Sequence, residues 1–423
     1  MIYNVVIYLV LWGIAIASLF DHKVRKMWRG EREAFRLLKQ KVDPTAQYVW
    51  FHAASLGEFE QGRPLMERIR RDFPQYKILL TFYSPSGYEV RKNYEGADII
   101  CYMPVDTRLN AIRFLRLVRP VMAFFIKYEF WSNFLHILKH RNIPTYSVSS
   151  IFREDQVFFK WYGRSYAGVL KCFTRFFVQN EESKRLLESI GITAVDVVGD
   201  TRFDRVLQIK EVAKQLPICD AFRKGHVAEA LAAGEIPTKE DYKVFVAGSS
   251  WPPDEEIFIP FFNEHKDWRL LIAPHVIGED HLRQILSLIK DKKVVRYTQT
   301  TPEEAAQADV LIIDCFGLLS SMYHYGDVAY VGGGFGVGIH NTLEAAVWNM
   351  PVIFGPNNKK FQEAQGLLKS GGGFEIQNYE SFEGLMNSMM NDGAFLKQAG
   401  DKAGAFVASL SGATDKVLSK VEL

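Results

Sequence analysis

Four loops in this 423-residue chain carry side chains suited to group transfer. The first is His52-Ala53-Ala54-Ser55-Leu56-Gly57-Glu58, between an apolar β-rich run and a helical segment. Gly57 lets the backbone pass close to a ligand, and Glu58 falls near a helix N-terminus. A carboxylate there can take a proton from an attacking hydroxyl, although first-turn glutamates also serve as plain caps. The second loop is Lys127-Tyr128-Glu129-Phe130-Trp131-Ser132-Asn133, with Glu129 just past a hydrophobic strand. A charge in that position is either paired, here most simply with Lys127, or functional. The third, Gly199-Asp200-Thr201-Arg202-Phe203-Asp204, offers a guanidinium that can grip phosphate oxygens in bidentate fashion, or pair with Asp200 or Asp204. The fourth, residues 332–346, is a glycine-rich turn that follows a strand and opens a helix. Its backbone amides can hold a phosphate, and Glu344 can accept hydrogen bonds from ribose hydroxyls. It matches neither G-x-x-x-x-G-K-[ST] nor G-x-G-x-x-G with an acid about 20 residues on, which disfavours NTPase and dinucleotide readings.

Such loops need strands to hold them. Short β-rich runs at 48–51, 77–80, 99–102, 121–125, 145–148, 176–178 and 195–198 alternate with amphipathic segments such as 110–118 and 182–190. The alternation predicts a mostly parallel sheet with helices on both faces. It lapses in a helical, polar stretch and restarts at 244–247, 270–273, 294–297, 310–313, 328–331 and 351–354. The economical organisation is two Rossmann-like domains, 22–206 and 242–423, joined by a helical connection at 207–241. In such sheets the chemistry sits in loops at the carboxyl ends of the strands.

The first twenty residues stand apart, with 17 apolar and none charged. As a helix they span about 30 Å, the thickness of a bilayer's hydrocarbon core. Residues 22–41 then hold eight basic side chains against Glu31 and Glu33. The positive-inside rule predicts a transmembrane anchor at 1–21, with the remainder in the cytoplasm and the basic flank against anionic headgroups. A cleaved export signal would carry its positive charge ahead of the apolar run. With +6 in residues 22–41 and −1 at Asp21, a total of +2 leaves residues 42–423 at −3. That balance argues against a nucleic-acid partner, and 48% hydrophobic residues exclude intrinsic disorder. Four dispersed cysteines (Cys101, Cys172, Cys219, Cys315) fit reduced thiols and form no metal-ligand spacing.

Taken in order, the landmarks are H-A-A-S-L-G-E at 52–58, T-F-Y-S-P-S-G at 81–87, Y-M-P-V-D at 102–106 and E-F-W-S-N at 129–133. G-D-T-R-F-D at 199–204, A-G-S-S at 247–250, A-P-H at 273–275, H-N-T-L-E at 340–344 and F-Q-E at 361–363 follow. In this order and spacing the chain resembles the 3-deoxy-D-manno-octulosonate (Kdo) transferases that act on the lipid A precursor of Gram-negative bacteria. The resemblance implies an α/β, GT-B fold: two Rossmann-like domains facing a central cleft, the first for the acceptor and the second for a CMP-activated sugar. It implies inverting transfer from CMP-Kdo to lipid IVA in lipopolysaccharide synthesis, without a metal, which the lack of an Asp-x-Asp motif suits. By the same resemblance Glu58 is the general base, Glu129 supports the transition state, and Arg202 stands where the family has a lysine, keeping charge but not shape. Pro274 and His275 align with a Pro-Arg pair on CMP, and Val276-Ile277-Gly278-Glu279 replaces the His-Pro-Glu-Arg that follows it. Phe316, Gly317 and Leu318 align with a Met-Gly-Glu CMP turn, and Asn341, Thr342, Leu343 and Glu344 with Asn-Pro-Leu-Glu. Two other readings stay open on the residues alone: an isomerase such as a UDP-sugar 2-epimerase, and a membrane tether that binds a sugar nucleotide without turnover.

Overall fold

The computed structural model describes residues 2–232, 243–265, 267–336 and 338–423. It forms two compact units, Met1–Arg205 with Ser411–Leu423, and Val206–Leu410. Of the expected connection at 207–241, residues 233–241 lie outside the described residues, as does Val337 of the glycine-rich loop.

The first unit is built on seven strands: β1 (Gln47–Ala53), β2 (Tyr76–Phe82), β3 (Ile99–Tyr102), β4 (Met122–Ile126), β5 (Thr145–Ser150), β6 (Arg175–Val178) and β7 (Val195–Val197). They pair in parallel in the order β3-β2-β1-β4-β5-β6-β7. Parallel strands joined by helices are covered on both faces, so their sequences read as near-continuous apolar runs. Trp50, Leu79, Ala123 and Phe125 fill one face with Phe114 and Phe134 from helices. Val49, Phe51, Ile78, Leu80 and Phe124 fill the other with Leu65 and Ile69. Trp50 is fully buried, its ring 4.9–5.6 Å from Phe114, Phe125 and Phe134. The strand order reverses between β1 and β4, where a ligand crevice is expected at the carboxyl ends.

Two helices precede β1. Helix α1 (Ile2–Phe20) is apolar all round, with Trp12, Leu19 and Phe20 largely exposed. Helix α2 (His22–Lys41) is amphipathic and buries Met27, Ala34, Phe35 and Leu38. Asp21 between them accepts from the Lys23 and Val24 amides, and Arg25 donates to Ser18 O and Leu19 O. Both ends left open by helix geometry are thereby closed. The first turn of α1 is bonded to the carboxyl edge of the sheet: Tyr3 donates to Asp106 Oδ2 at 2.6 Å, and Asn133 Nδ2 to Asn4 Oδ1 at 2.9 Å.

Residues 411–423 belong to the first unit, whereas the sequence reading kept them in the second domain. The Asp204 carboxylate accepts from the Gly412 amide and from the Thr414 amide and hydroxyl. Ala413, Val417 and Val421 then enter the first unit's core. A tie spanning some two hundred residues leaves no local signature in the sequence.

The second unit repeats the architecture with β8 (Lys243–Ser250), β9 (Trp268–Pro274), β10 (Val294–Arg296), β11 (Val310–Ile312), β12 (Val328–Val331), β13 (Val352–Phe354) and β14 (Gly373–Glu375). The order is β10-β11-β9-β8-β12-β13-β14, again parallel, reversing between β8 and β12. All expected strands are present, shifted by at most three residues. Among the described residues, β14 is the one strand not expected: a Cβ on Gly372 just before it would lie 2.5 Å from the Ala403 backbone, so close packing requires the glycine.

Candidate active site

At the first unit's switch point, Ser55 precedes helix α3 (Leu56–Asp72) and holds Glu58 Oε2 through its amide at 2.8 Å and its hydroxyl at 3.1 Å. Ser55 is the N-cap and Glu58 its capping-box partner, and the same bonds fix the carboxylate in place. Burial and the charge of Glu129 push its carboxyl above the usual range, opposed by the Ser55 bonds and Lys127. A carboxylate with raised proton affinity is the better general base near neutral pH. A Cβ on Gly57 would meet nothing within 4 Å, so the space over this turn is open.

Lys127 leaves β4 in the left-handed region (φ 68°), its amide donating to Val148 O at 2.8 Å. Glu129 Oε2 accepts from Trp131 Nε1 at 2.5 Å and approaches His52 Nε2 at 3.1 Å. Its polar partners are thus a histidine and an indole, where the sequence suggested Lys127. His52 is fully buried on β1, in register with Thr81 of β2 and Phe125 of β4. Asp106, last residue of Y-M-P-V-D, accepts from the amides of Asn133 and Phe134, each at 3.0 Å. That landmark braces the Glu129 loop, and burial pushes the Asp106 carboxyl up to about 6.

Arg202 opens the helix Arg202–Glu211 and is bonded to Asp200, its amide to Oδ1 at 2.9 Å and Nε to Oδ2 at 2.8 Å. Gln61 also donates to Asp200. The ion pair weighed against a phosphate role is present, with Asp200 as a partner.

In the second unit the predicted residues lie at the carboxyl ends of β9, β11 and β12. Pro274 closes β9 and is buried. The His275 ring stacks between Trp251, at 4.7 Å, and His340, at 4.3 Å. Trp251 Nε1 donates to His340 Nε2 at 3.2 Å. Burial, together with His275, pushes His340 down to about 4, and burial also lowers His275, which favours the neutral form of both rings. The divergent loop continues into the helix Glu279–Leu288, where Glu279 pairs with Arg296. Phe316 is 80% exposed, Gly317 turns the chain at φ 85°, and Leu318 precedes the helix Leu319–Met322. Ser320 of that helix donates to Glu344 Oε2 at 2.6 Å, and Asn341 Nδ2 donates to Oε1 at 3.0 Å. The 316–318 turn and the 341–344 loop therefore meet at Glu344. The expected phosphate-binding helix is a single turn, Leu343–Ala346, too short for a substantial dipole. Thr342 is fully buried, and its Oγ1 has no hydrogen-bond partner among the described residues.

Sequence reasoning missed one group here. Asp254, in the helix Pro252–Glu264, accepts from the amides of Trp251 and Gly333, each at 2.9 Å, and from the Tyr330 hydroxyl at 2.8 Å. It holds the glycine-rich loop, in which Gly333 needs φ 93°. Trp251-Pro252-Pro253-Asp254 does carry a helix-start signature, prolines then an acid at the third position, but that predicts a cap and not a loop brace.

Residues 29–205 match the family model described as 3-deoxy-D-manno-octulosonic-acid transferase (kdotransferase). This stretch is a Kdo-transferase domain. The 3-deoxy-D-manno-octulosonic acid transferase of Aquifex aeolicus is 28% identical over 78% of this chain and 82% of its own. That of Haemophilus influenzae is 25% identical over 89% and 86%. A bifunctional glycosyltransferase/methyltransferase of Fusobacterium nucleatum is 26% identical over 82% of this chain, which spans only 53% of that relative. Among solved structures, UDP-GlcNAc 2-epimerase from Neisseria meningitidis superposes with a TM-score of 0.59 at 14% identity, covering 88% of this chain and 99% of its own. Acinetobacter baumannii MurG superposes with a TM-score of 0.52 at 11%, covering 88% and 98%. These neighbours share the GT-B fold, and their low identity speaks to fold alone. The chain is thus similar to Kdo transferases over most of its length, and residues 29–205 carry the family match. Glu58, Glu129 and Arg202 all lie inside the Kdo-transferase domain, and the second unit's candidates lie beyond it.

Proposed function

We propose that this glycosyltransferase moves Kdo from CMP-Kdo to a phosphorylated, acylated disaccharide, the lipid A precursor lipid IVA, with inversion at the anomeric carbon. The observation carrying the reading is Glu58, fixed by Ser55 beside Glu129 at the switch point of the Kdo-transferase domain. Glu58 takes the proton of the acceptor's sugar hydroxyl as its oxygen attacks the anomeric carbon, and the bond to the CMP phosphate breaks with its electron pair going to CMP. Glu129 offers negative charge to the positive character that builds on the sugar. Arg202 supplies positive charge for the departing phosphate, and a ligand phosphate would compete with Asp200 for its guanidinium. Pro274 with His275, Phe316 with Gly317 and Leu318, and Asn341 to Glu344 form the donor site in the second unit. The reaction proceeds without a divalent metal. Acceptor-dependent release of CMP, undiminished by a chelator, tests this reading; equal release without lipid would point to hydrolysis, and interconversion of a UDP-sugar to an isomerase.

The acceptor lies in a bilayer, which gives the apolar α1 and basic α2 their place. We assign α1 as the anchor, with both units on the cytoplasmic face of the inner membrane. Crossing the bilayer exchanges the Tyr3–Asp106 and Asn4–Asn133 bonds for lipid contact. In sealed inverted vesicles a cysteine replacing Asn4 is expected to resist an impermeant thiol reagent until detergent is added, with the four native cysteines as the background. Immediate labelling would mean that α1 stays folded against its own unit.

A further inference from the structure

His52 has no part in the reaction as assigned, yet it is one of the few polar side chains fully buried in the sheet. Trp50 and His52 project from the same face of β1, two residues apart, and Thr81 stands beside His52 on β2. The Thr81 hydroxyl accepts from Trp50 Nε1 at 2.9 Å and lies 2.9 Å from His52 Nδ1. The other ring nitrogen, Nε2, is 3.1 Å from Glu129 Oε2. An unprotonated Nε2 would set its lone pair against those of the carboxylate, so this nitrogen carries a proton and donates it. Trp131 Nε1 donates to the same oxygen. Glu129 is thus gripped twice through Oε2, and Oε1 has no hydrogen-bond partner among the described residues.

We propose that His52 is a positioning residue: seated by Thr81 and Trp50, it clamps the Glu129 carboxylate in place beside Glu58. This inference rests on the reading of Glu58 as the base. A side chain buried in the sheet can set an orientation that a loop carboxylate would otherwise lose to solvent, as outer partners of functional groups commonly do. The clamp also bears on Glu58, because the nearby Glu129 charge is one cause of its raised proton affinity. The other charged and titratable groups facing the pair are Lys127, which opposes that effect on Glu58, and Tyr83, which faces Glu129.

His52→Leu is expected to lower kcat roughly ten- to hundredfold, with smaller changes in KM. It should move the acid limb of the kcat–pH profile downward, as Glu129→Gln does. His52→Gln, whose amide N–H can reach toward Glu129, should recover most of the rate. The double variant His52→Leu/Glu129→Gln should be no slower than Glu129→Gln alone. Additive losses, or an unmoved acid limb, would overturn the proposal. If His52→Leu fails to fold, 15N NMR of the wild-type ring decides, with His52→Gln assigning the signal: protonated Nε2 is expected, and a ring protonated only at Nδ1 overturns it. The ring signal is read without turnover, so it tests the clamp even if Kdo transfer itself is not found.

Discussion

Glu58→Gln is expected to lower kcat by roughly 10²–10⁴-fold, the usual contribution of a positioned general base, while donor KM stays close to its original value. Glutamine keeps the shape and can still accept from Ser55, so the cap on α3 survives and thermal stability should change little. The pH profile carries the sign of the assignment. A base works only when deprotonated, so activity falls as pH drops through the Glu58 pKa. Burial and Glu129 raise that pKa, so the acid limb should lie above the ordinary glutamate value of about 4.3. Glu129→Gln removes a like charge and should shift the limb to lower pH, lowering the rate by a route separate from proton transfer. A Glu58→Gln enzyme within threefold of wild type would remove the base from the mechanism.

The second large effect is expected at Asp254, which no part of the chemistry requires directly. Asp254→Ala leaves the buried Gly333 amide, the part-buried Trp251 amide and the buried Tyr330 hydroxyl without their acceptor. A buried donor left unpaired costs about 1–3 kcal/mol, so a loss of about 3 kcal/mol is the expected order. For a unit of this size that lowers the unfolding midpoint by roughly 6–12 °C. The released glycine-rich loop should also raise donor KM at temperatures where the protein remains folded. Differential scanning calorimetry beside donor titration checks both: an unchanged midpoint would mean that the loop does not depend on Asp254, and a lower midpoint with unchanged donor KM would detach the loop from the donor.

The fold was largely legible because buried parallel strands write themselves as apolar runs such as Tyr48-Val49-Trp50-Phe51 and Val328-Ala329-Tyr330-Val331. Short range made them readable, and long range hid the rest. The Asp204 tie that brings residues 411–423 into the first unit joins groups whose spacing no periodicity records. Glu58 was visible because a glutamate three residues after a serine, following a strand, marks a helix start at the carboxyl edge. His52 was present in the same motif but reads as one polar residue in a strand, and only the register with Thr81 shows what it holds. The sequence places Arg202 on its loop, but its pairing with Asp200 is set by three-dimensional geometry that spacing does not specify. The stack of Trp251, His275 and His340 joins three strand ends and has no sequence signature at all.

Mass spectrometry of lipid IVA after incubation with CMP-Kdo, using wild type and Glu58→Gln in parallel, bears most directly on the central claim. The wild type should add whole Kdo increments to the lipid, and the variant should yield almost none in the same time. Unmodified lipid with the wild type, or equal product with both proteins, would contradict the account.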